Sequence, residues 1–373
     1  MLQNVTQKKI RNASVELLRI LAMVLIVFHH FAIHGGFAFG TSVSIPHFWY
    51  NLILMGGKLG VDVFVLISGY YLIVNEKTFF NLHRIVKFIG QLVFYSVVFY
   101  AVGVLVDIIN FSTKTFIKAL FPITFSKWWF ASTYFLLYLL HPFLNKLLLH
   151  IDKNLYQKLL ALLVICWSVI PTFTTSSYGL SSLVWFTTLY AIAGYIRLYG
   201  LNSKFTTKQY LAGTMIGAAL TYASSVVFVV LGTKWNVFAS VITYFYGQEK
   251  LTILFTAVCL FMVFITVKMN DHKWINLAAS ATFGVYLIHD NEITRPLLWQ
   301  ILFHNAQYQN SLLLIPYSVI VVVIVYVVCT GIDLLRQRLV EKPFMAVVNH
   351  CTEKKIPLFD KVVIGLKDFI FGR

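Results

Sequence analysis

The chain alternates long apolar runs with short polar connections. In order, the runs cover residues 17–32, 52–74, 85–109, 129–149, 155–173, 183–198, 210–231, 251–267, 274–288 and 312–332. Buried parallel strands would need only about 4 to 8 apolar residues each. Most of these runs are long enough to cross a hydrocarbon layer as helices, which predicts an all-α, polytopic integral membrane protein with about ten transmembrane helices. A multi-pass protein of the cell membrane, with the lipid bilayer as its main surroundings, is the expectation.

The first run carries more polar chemistry than a lipid-facing helix needs. Residues 14–34 read SVELLRILAMVLIVFHHFAIH, with one glutamate, one arginine and three histidines. Ser14 is the expected cap, and Glu16 falls in the first turn, where a carboxylate suits the exposed amides. Glu16 is three residues before Arg19, so a helix-surface ion pair is one reading of both. Arg19 and His30 return to nearly the same helix face, separated by roughly 16 Å along the axis. Ionisable groups inside a span face a bundle interior or a wet cavity. A histidine at such depth reads as a base or proton carrier.

The second run begins GGKLGVDVFVLISGYYL. Asp62 lies roughly 15 Å in from the outer boundary and His30 roughly 20 Å up from the inner one, so in a core about 30 Å thick their depths coincide. A carboxylate beside His30 would fix its tautomer and raise its basicity, as deprotonation of a hydroxyl requires. Pairing of Asp62 with Lys58 at i,i+4 is the alternative.

Further along, the basic segment NEKTFFNLHRIVK places Arg84 where lipid phosphates or a phosphorylated donor could meet it. In the fourth run Tyr134, Tyr138 and His141 recur at helical spacing and could line an interior. His141-Pro142 predicts a kink or a helix end. The ninth run ends in a second polar concentration, His289, Asp290, Asn291, Glu292 and Arg295, where a hydrophilic acceptor could be recognised.

Composition agrees with the pattern. The 373 residues are 59% hydrophobic and only 12% charged, with a mean hydropathy of +0.77; soluble domains carry about twice that charge fraction. The net charge of +16 could suggest nucleic acid, but its placement is topological. With the N-terminus in the cytoplasm, most basic residues fall on the inner side, leaving Lys58, Lys114, Lys118, Lys127, Lys234, Lys250 and Arg295 for the other. The positive-inside rule then predicts that both termini are cytoplasmic, and no nucleic-acid partner is expected. Residues 1–13 read as a cytoplasmic tail, 14–335 as the membrane domain, and 336–373 as an amphipathic cytoplasmic segment. No cleavable signal peptide is expected. The four scattered cysteines suggest neither disulfides nor a metal cluster, and no metal is expected. There is no Walker loop, dinucleotide fingerprint or HExxH, so any chemistry must use an already activated donor.

Together these motifs resemble the membrane-bound acyltransferase type 3 family, and within it the Gram-positive branch of polysaccharide and cell-wall O-acyltransferases. RNASVELLRILAMVLIVFHH looks like the family opening, whose key pair falls on Arg19 and His30. GKLGVDVFVLISGYYL resembles the second-span signature, WWFASTYFLLYLLHPFLN the fourth-span block, FGVYLIHD the late tyrosine-histidine block and EKP the closing motif. The family often has glutamate in the fourth-span block, where this chain has Ser132, Thr133 and Tyr134. Larger variants with an added extracytoplasmic esterase domain are poor templates.

The resemblance implies transfer of an acyl group, usually acetyl from acetyl-CoA on the cytoplasmic side, to a hydroxyl of a cell-surface glycan or isoprenoid-linked sugar. His30, assisted by Asp62, is the expected base. Arg19, its neighbour Glu16 and Arg84 are the expected donor-side residues, and Tyr134, Tyr138, His289, Asp290 and Arg295 the expected acceptor-side ones. A transporter or flippase for a lipid-linked glycan is the rival reading, because it too needs polar groups at mid-depth.

Overall fold

Backbone groups in a hydrocarbon layer must be satisfied within the protein, which leaves helices and closed barrels as solutions. The computed structural model describes residues 12–74, 81–201 and 204–350, and among them the solution is helical throughout. The helices are α1 (Ala13–His34), α2 (Ile45–Leu72), α3 (Leu82–Leu105), α4 (Thr113–Leu120), α5 (Trp129–His150), α6 (Lys153–Val164) and α7 (Ile170–Phe173), then α8 (Ser182–Tyr199), α9 (Thr207–Gly232), α10 (Asn236–Ala239) and α11 (Leu251–Thr266). They continue with α12 (Lys273–Ser280), α13 (Thr282–His289), α14 (Thr294–Pro296) and α15 (Leu314–Arg336). The expected all-α class is the observed one. Lys8, Lys9, Arg11, Lys77, Cys351 and the tail beyond His350 lie outside the described residues.

Local sequence explains the helix starts. Asn12, not Ser14, caps α1: its side chain accepts from the Ser14 backbone N–H at 3.1 Å. The Ser14 hydroxyl instead donates to the Phe264 carbonyl of α11 at 2.7 Å. Ser44 caps α2, with Pro46 in the first turn where its missing N–H costs nothing. Thr206 and Gln209 form a reciprocal capping box at the start of α9.

The helix α2 is the axis of the bundle. It packs against α1, α8 and α11, and 72% of its most apolar stretch is buried, against 22% for the Lys153–Phe173 run and 28% for α9. The latter two therefore present most of their apolar surface outward, as helices bathed in lipid do. Among lipids, close helix contact relies on small residues rather than on a hydrophobic drive. Gly60 illustrates this, since a Cβ there would fall 2.6 Å from the Ala22 carbonyl oxygen of α1.

Seven helical runs are long and apolar enough to cross a membrane by length and composition, fewer than the ten or so expected. The remaining expected spans correspond to α5, α8 and the α12–α13 pair. Polar content sets them apart: α5 holds His141, Pro142, Asn145 and Lys146, and α8 carries Arg197 in its last turn. The apolar run at 274–288 is broken at Ala281 into two helices of 8 residues each.

Pro142 does not end α5, which continues to His150. A proline leaves the carbonyl four residues earlier without its N–H donor. That carbonyl belongs to Tyr138, and the His141 ring Nδ1–H donates to it instead.

Candidate active site

The periodicity of α1 places Arg19, Met23, Ile26, His30 and His34 along one stripe, and all five line a single cavity of about 510 Å³. The opposite wall comes from α2, α5 and α13, including Phe64, Trp129, Phe130 and Tyr286. The middle of the cavity is apolar and aromatic. Its two ends are polar, with Arg19 at one and His34, Asp290 and Arg295 at the other.

At the Arg19 end, the guanidinium lies 3.4 Å from the Glu16 carboxylate, the i,i+3 pair anticipated from spacing. Arg19 thus both lines the cavity and carries an ion pair. Arg84 lies outside this cavity. It lines an adjoining one of about 170 Å³ together with Tyr134 and Tyr138, and Tyr134 and Phe88 border both cavities.

The other end gathers residues distant in sequence. His30 is only 8% exposed, His289 is fully buried and Asp290 is 2% exposed. His30 Nδ1 lies 2.8 Å from His289 Nε2, and His289 Nδ1 lies 2.6 Å from the Val285 carbonyl oxygen one turn back. Asp290 Oδ1 accepts from Arg295 Nε at 2.8 Å, while His34 Nε2 and His30 Nε2 stand 3.4 and 3.7 Å from that same oxygen.

The local fold explains how these groups converge. The α13 helix ends at His289, and the chain then turns back on itself: Thr294 Oγ1 donates to the Ile288 carbonyl at 2.6 Å and Asn291 Oδ1 accepts from the Ile293 N–H at 2.9 Å. This turn returns Arg295 to Asp290.

Asp62 does not join this cluster. It is fully buried on the other side of α2, where Oδ1 accepts from Trp185 Nε1 of α8 at 3.0 Å. Oδ2 has no hydrogen-bond partner among the described residues. The reason is azimuthal: Val61, Phe64 and Ser68 form the cavity stripe of α2, and Asp62 is turned about 100° from Val61. The carboxylate beside His30 is Asp290. Lys58, the alternative partner for Asp62, has its ammonium 4.6 Å from the centre of the Trp129 ring. His29 also lines the cavity, but its Nδ1 is 2.6 Å from the Leu54 carbonyl oxygen rather than in the Asp290 cluster.

Of the acceptor-side residues named from sequence, Tyr134, Asp290 and Arg295 line the main cavity. His289 stands behind His30 rather than on the cavity wall, and Tyr138 borders only the smaller cavity. His34, for which no role is expected from sequence, shares Asp290 with His30.

One nitrogen from each of His30 and His34 and one Asp290 oxygen lie within 4.8 Å of one another. Two imidazoles and a carboxylate could hold a divalent ion, as three protein ligands do in catalytic zinc sites. Against this use, Arg295 already donates to the same carboxylate oxygen and brings a fixed positive charge beside it.

A family model described as an acyltransferase domain matches residues 12–333. No curated protein matches the chain, and no solved structure does.

Proposed function

Since the chain belongs to this acyltransferase family, the type 3 family its motifs resemble, we propose that it is a membrane O-acyltransferase. It carries an acetyl or other short acyl group from cytoplasmic acyl-CoA to a hydroxyl of a cell-surface glycan or isoprenoid-linked precursor. On this reading residues 14–335 form a catalytic domain of ten spans, including α5, α8 and α12–α13. Cytoplasmic tails, 1–13 and 336–373, flank it. The Gram-positive cell-wall branch is the proposed relationship within the family.

The observation that carries the proposal is the continuity of one cavity along α1 from Arg19 to His34, a rise of roughly 22 Å. A donor entering at the Arg19 end meets a guanidinium suited to phosphate or carbonyl oxygen. The apolar middle, with Met23, Ile26, Phe64 and Phe130, suits the thin pantetheine arm. The acceptor hydroxyl then meets His30.

In the proposed reaction His30 removes the hydroxyl proton as the alkoxide oxygen attacks the thioester carbonyl carbon. The new carbon–oxygen bond forms, the carbon–sulfur bond breaks, and the departing thiolate recovers the proton from the His30 imidazolium. Asp290, 3.7 Å from His30 Nε2, offers a counter-charge while the ring is cationic.

The test uses purified protein in liposomes, with acetyl-CoA on one side and a glycan acceptor on the other. Acetyl transfer by the wild type and its loss by a factor of about 10² to 10⁴ in His30→Ala are expected. Glycan movement without acyl chemistry would instead support a carrier, and normal transfer by well-folded His30→Ala would overturn the base assignment.

A further inference from the structure

We infer that His289 is the positioning residue that fixes the tautomer of His30, so that Nε2 of His30 is the nitrogen carrying the free lone pair toward the cavity. The inference rests on the acyltransferase reading only for its consequence on rate. The tautomer itself follows from hydrogen-bond bookkeeping along one chain of atoms.

The chain begins at the Val285 carbonyl, which can only accept. His289 Nδ1 lies 2.6 Å from it, so Nδ1 must bear a hydrogen and donate. With both rings neutral, His289 then has its lone pair on Nε2. That atom lies 2.8 Å from His30 Nδ1, so His30 Nδ1 is the donor. His30 Nε2 is left unprotonated.

The position of Nε2 makes this consequential. It is the ring nitrogen facing the Asp290 carboxylate at 3.7 Å, at the cavity end shared by His34 and Arg295. A separation of 3.7 Å is too long for a hydrogen bond, so Asp290 does not hold a hydrogen on Nε2 and does not select the opposite tautomer. In the opposite tautomer Nε2 would carry a hydrogen and could not act as a base, and Nδ1 and His289 Nε2 would face each other lone pair to lone pair. The relation resembles metal-site and catalytic histidines, whose second nitrogen is held by a partner that selects the tautomer. Here the partner is a second histidine, itself held by a helix carbonyl.

The role of His289 differs from contact with the acceptor. It is fully buried and does not line the cavity, so its substitution should leave substrate affinity alone and act through His30.

The experiment combines nitrogen NMR with kinetics on the full chain in detergent or nanodiscs. Protein labelled with ¹⁵N-histidine, with the His30 signals identified by their disappearance in His30→Gln, should show His30 of the wild type as the Nδ1–H tautomer. His289→Leu should produce a mixture of tautomers and lower kcat about 10- to 100-fold, with KM for acyl-CoA unchanged. His289→Gln, whose amide oxygen can accept from His30 Nδ1–H, should restore the tautomer and most of the rate. Finding wild-type His30 as the Nε2–H tautomer would overturn the inference, as would a His289→Leu protein with unaltered tautomer and kcat. Because the NMR result needs no substrate, it stands even if the wild type transfers no acyl group, an outcome that would sink the functional reading alone.

Discussion

Two buried polar clusters flank α13, and they are built differently. The first joins α3 to the end of α15. Asp333 Oδ1 accepts from Gln91 at 3.2 Å, Tyr95 at 2.8 Å and Arg336 at 2.8 Å, and Oδ2 accepts from Gln337 at 2.7 Å. Arg336 and Lys87 in turn occupy the two oxygens of Glu341, at 2.8 and 2.6 Å. Gly284 of α13 packs directly against the Asp333 carboxylate, leaving no room for a Cβ. In the second cluster His289 is held between the Val285 carbonyl and His30, and Asp290 is held by Arg295, while His30 Nε2 stays 3.7 Å from Asp290 and His30 and His34 face a cavity. A network in which every carboxylate oxygen has a partner fastens helices together. One with a free lone pair beside a cavity is available for chemistry, at the cost of a looser hold.

The largest effect that would sharpen this contrast is expected at the closed cluster. Asp333→Ala leaves Arg336 buried beside Glu341 alone and removes the acceptor for Gln91, Tyr95 and Gln337. Breaking a buried ion pair from one side typically costs about 3 to 5 kcal/mol. The expected outcome is a marked fall in the thermal midpoint and in the yield of monodisperse protein in detergent, with transfer activity falling only as folded protein is lost. A well-folded, inactive Asp333→Ala protein would mean that the closed cluster takes part in the reaction, and the contrast would fail.

A smaller effect, of the opposite kind, is expected at the open cluster. Asp290→Asn keeps the shape and an acceptor oxygen for Arg295, which is itself part-exposed, but removes the charge facing His30 Nε2. Folding should be preserved. Steady-state kinetics should show kcat reduced about 10- to 100-fold, comparable to the loss of an orienting carboxylate elsewhere, with little change in KM for acyl-CoA. Unfolding of Asp290→Asn to the extent of Asp333→Ala would show that both clusters are fasteners.

The same two clusters mark how far the sequence could be read. Helix content was legible because apolar runs of this length have few alternatives in a membrane. The stripe from Arg19 to His30 was legible because 3.6-residue periodicity assigns a face without knowledge of neighbours. Choosing a carboxylate for His30 was a different problem. Depth along the membrane allowed Asp62, but depth carries no information on azimuth, and Asp62 is turned to Trp185. Asp290 was visible only as part of the polar end of the ninth run, because its approach to His30 depends on the tertiary packing of α1 on α13. The break at Ala281 and the rescue of Pro142 by the His141 ring likewise depend on individual contacts that apolarity does not encode. His34 carried one usable signal, its i,i+4 relation to His30, which puts both rings on the cavity face.

The smallest expected effect is the one that most directly tests what the open cluster is. The sequence suggested no metal, yet His30, His34 and Asp290 stand close enough to bind one. The two uses exclude each other, because a lone pair donated to a cation cannot accept the acceptor hydroxyl's proton, and Arg295 already engages the Asp290 oxygen such an ion would share. Exhaustive chelation is therefore expected to leave the transfer rate within about twofold of the untreated enzyme, a change too small to signal loss of the 10²-fold or larger contribution of a general base. Added zinc should inhibit by occupying His30 Nε2, and His34→Ala should weaken that inhibition by removing a ligand. If chelation instead abolishes transfer and zinc restores it, His30 is a ligand rather than a base. The gap of 3.7 Å between His30 Nε2 and Asp290 Oδ1 would then be the space of an ion, and the open cluster would be as fully bonded in the working enzyme as the closed one.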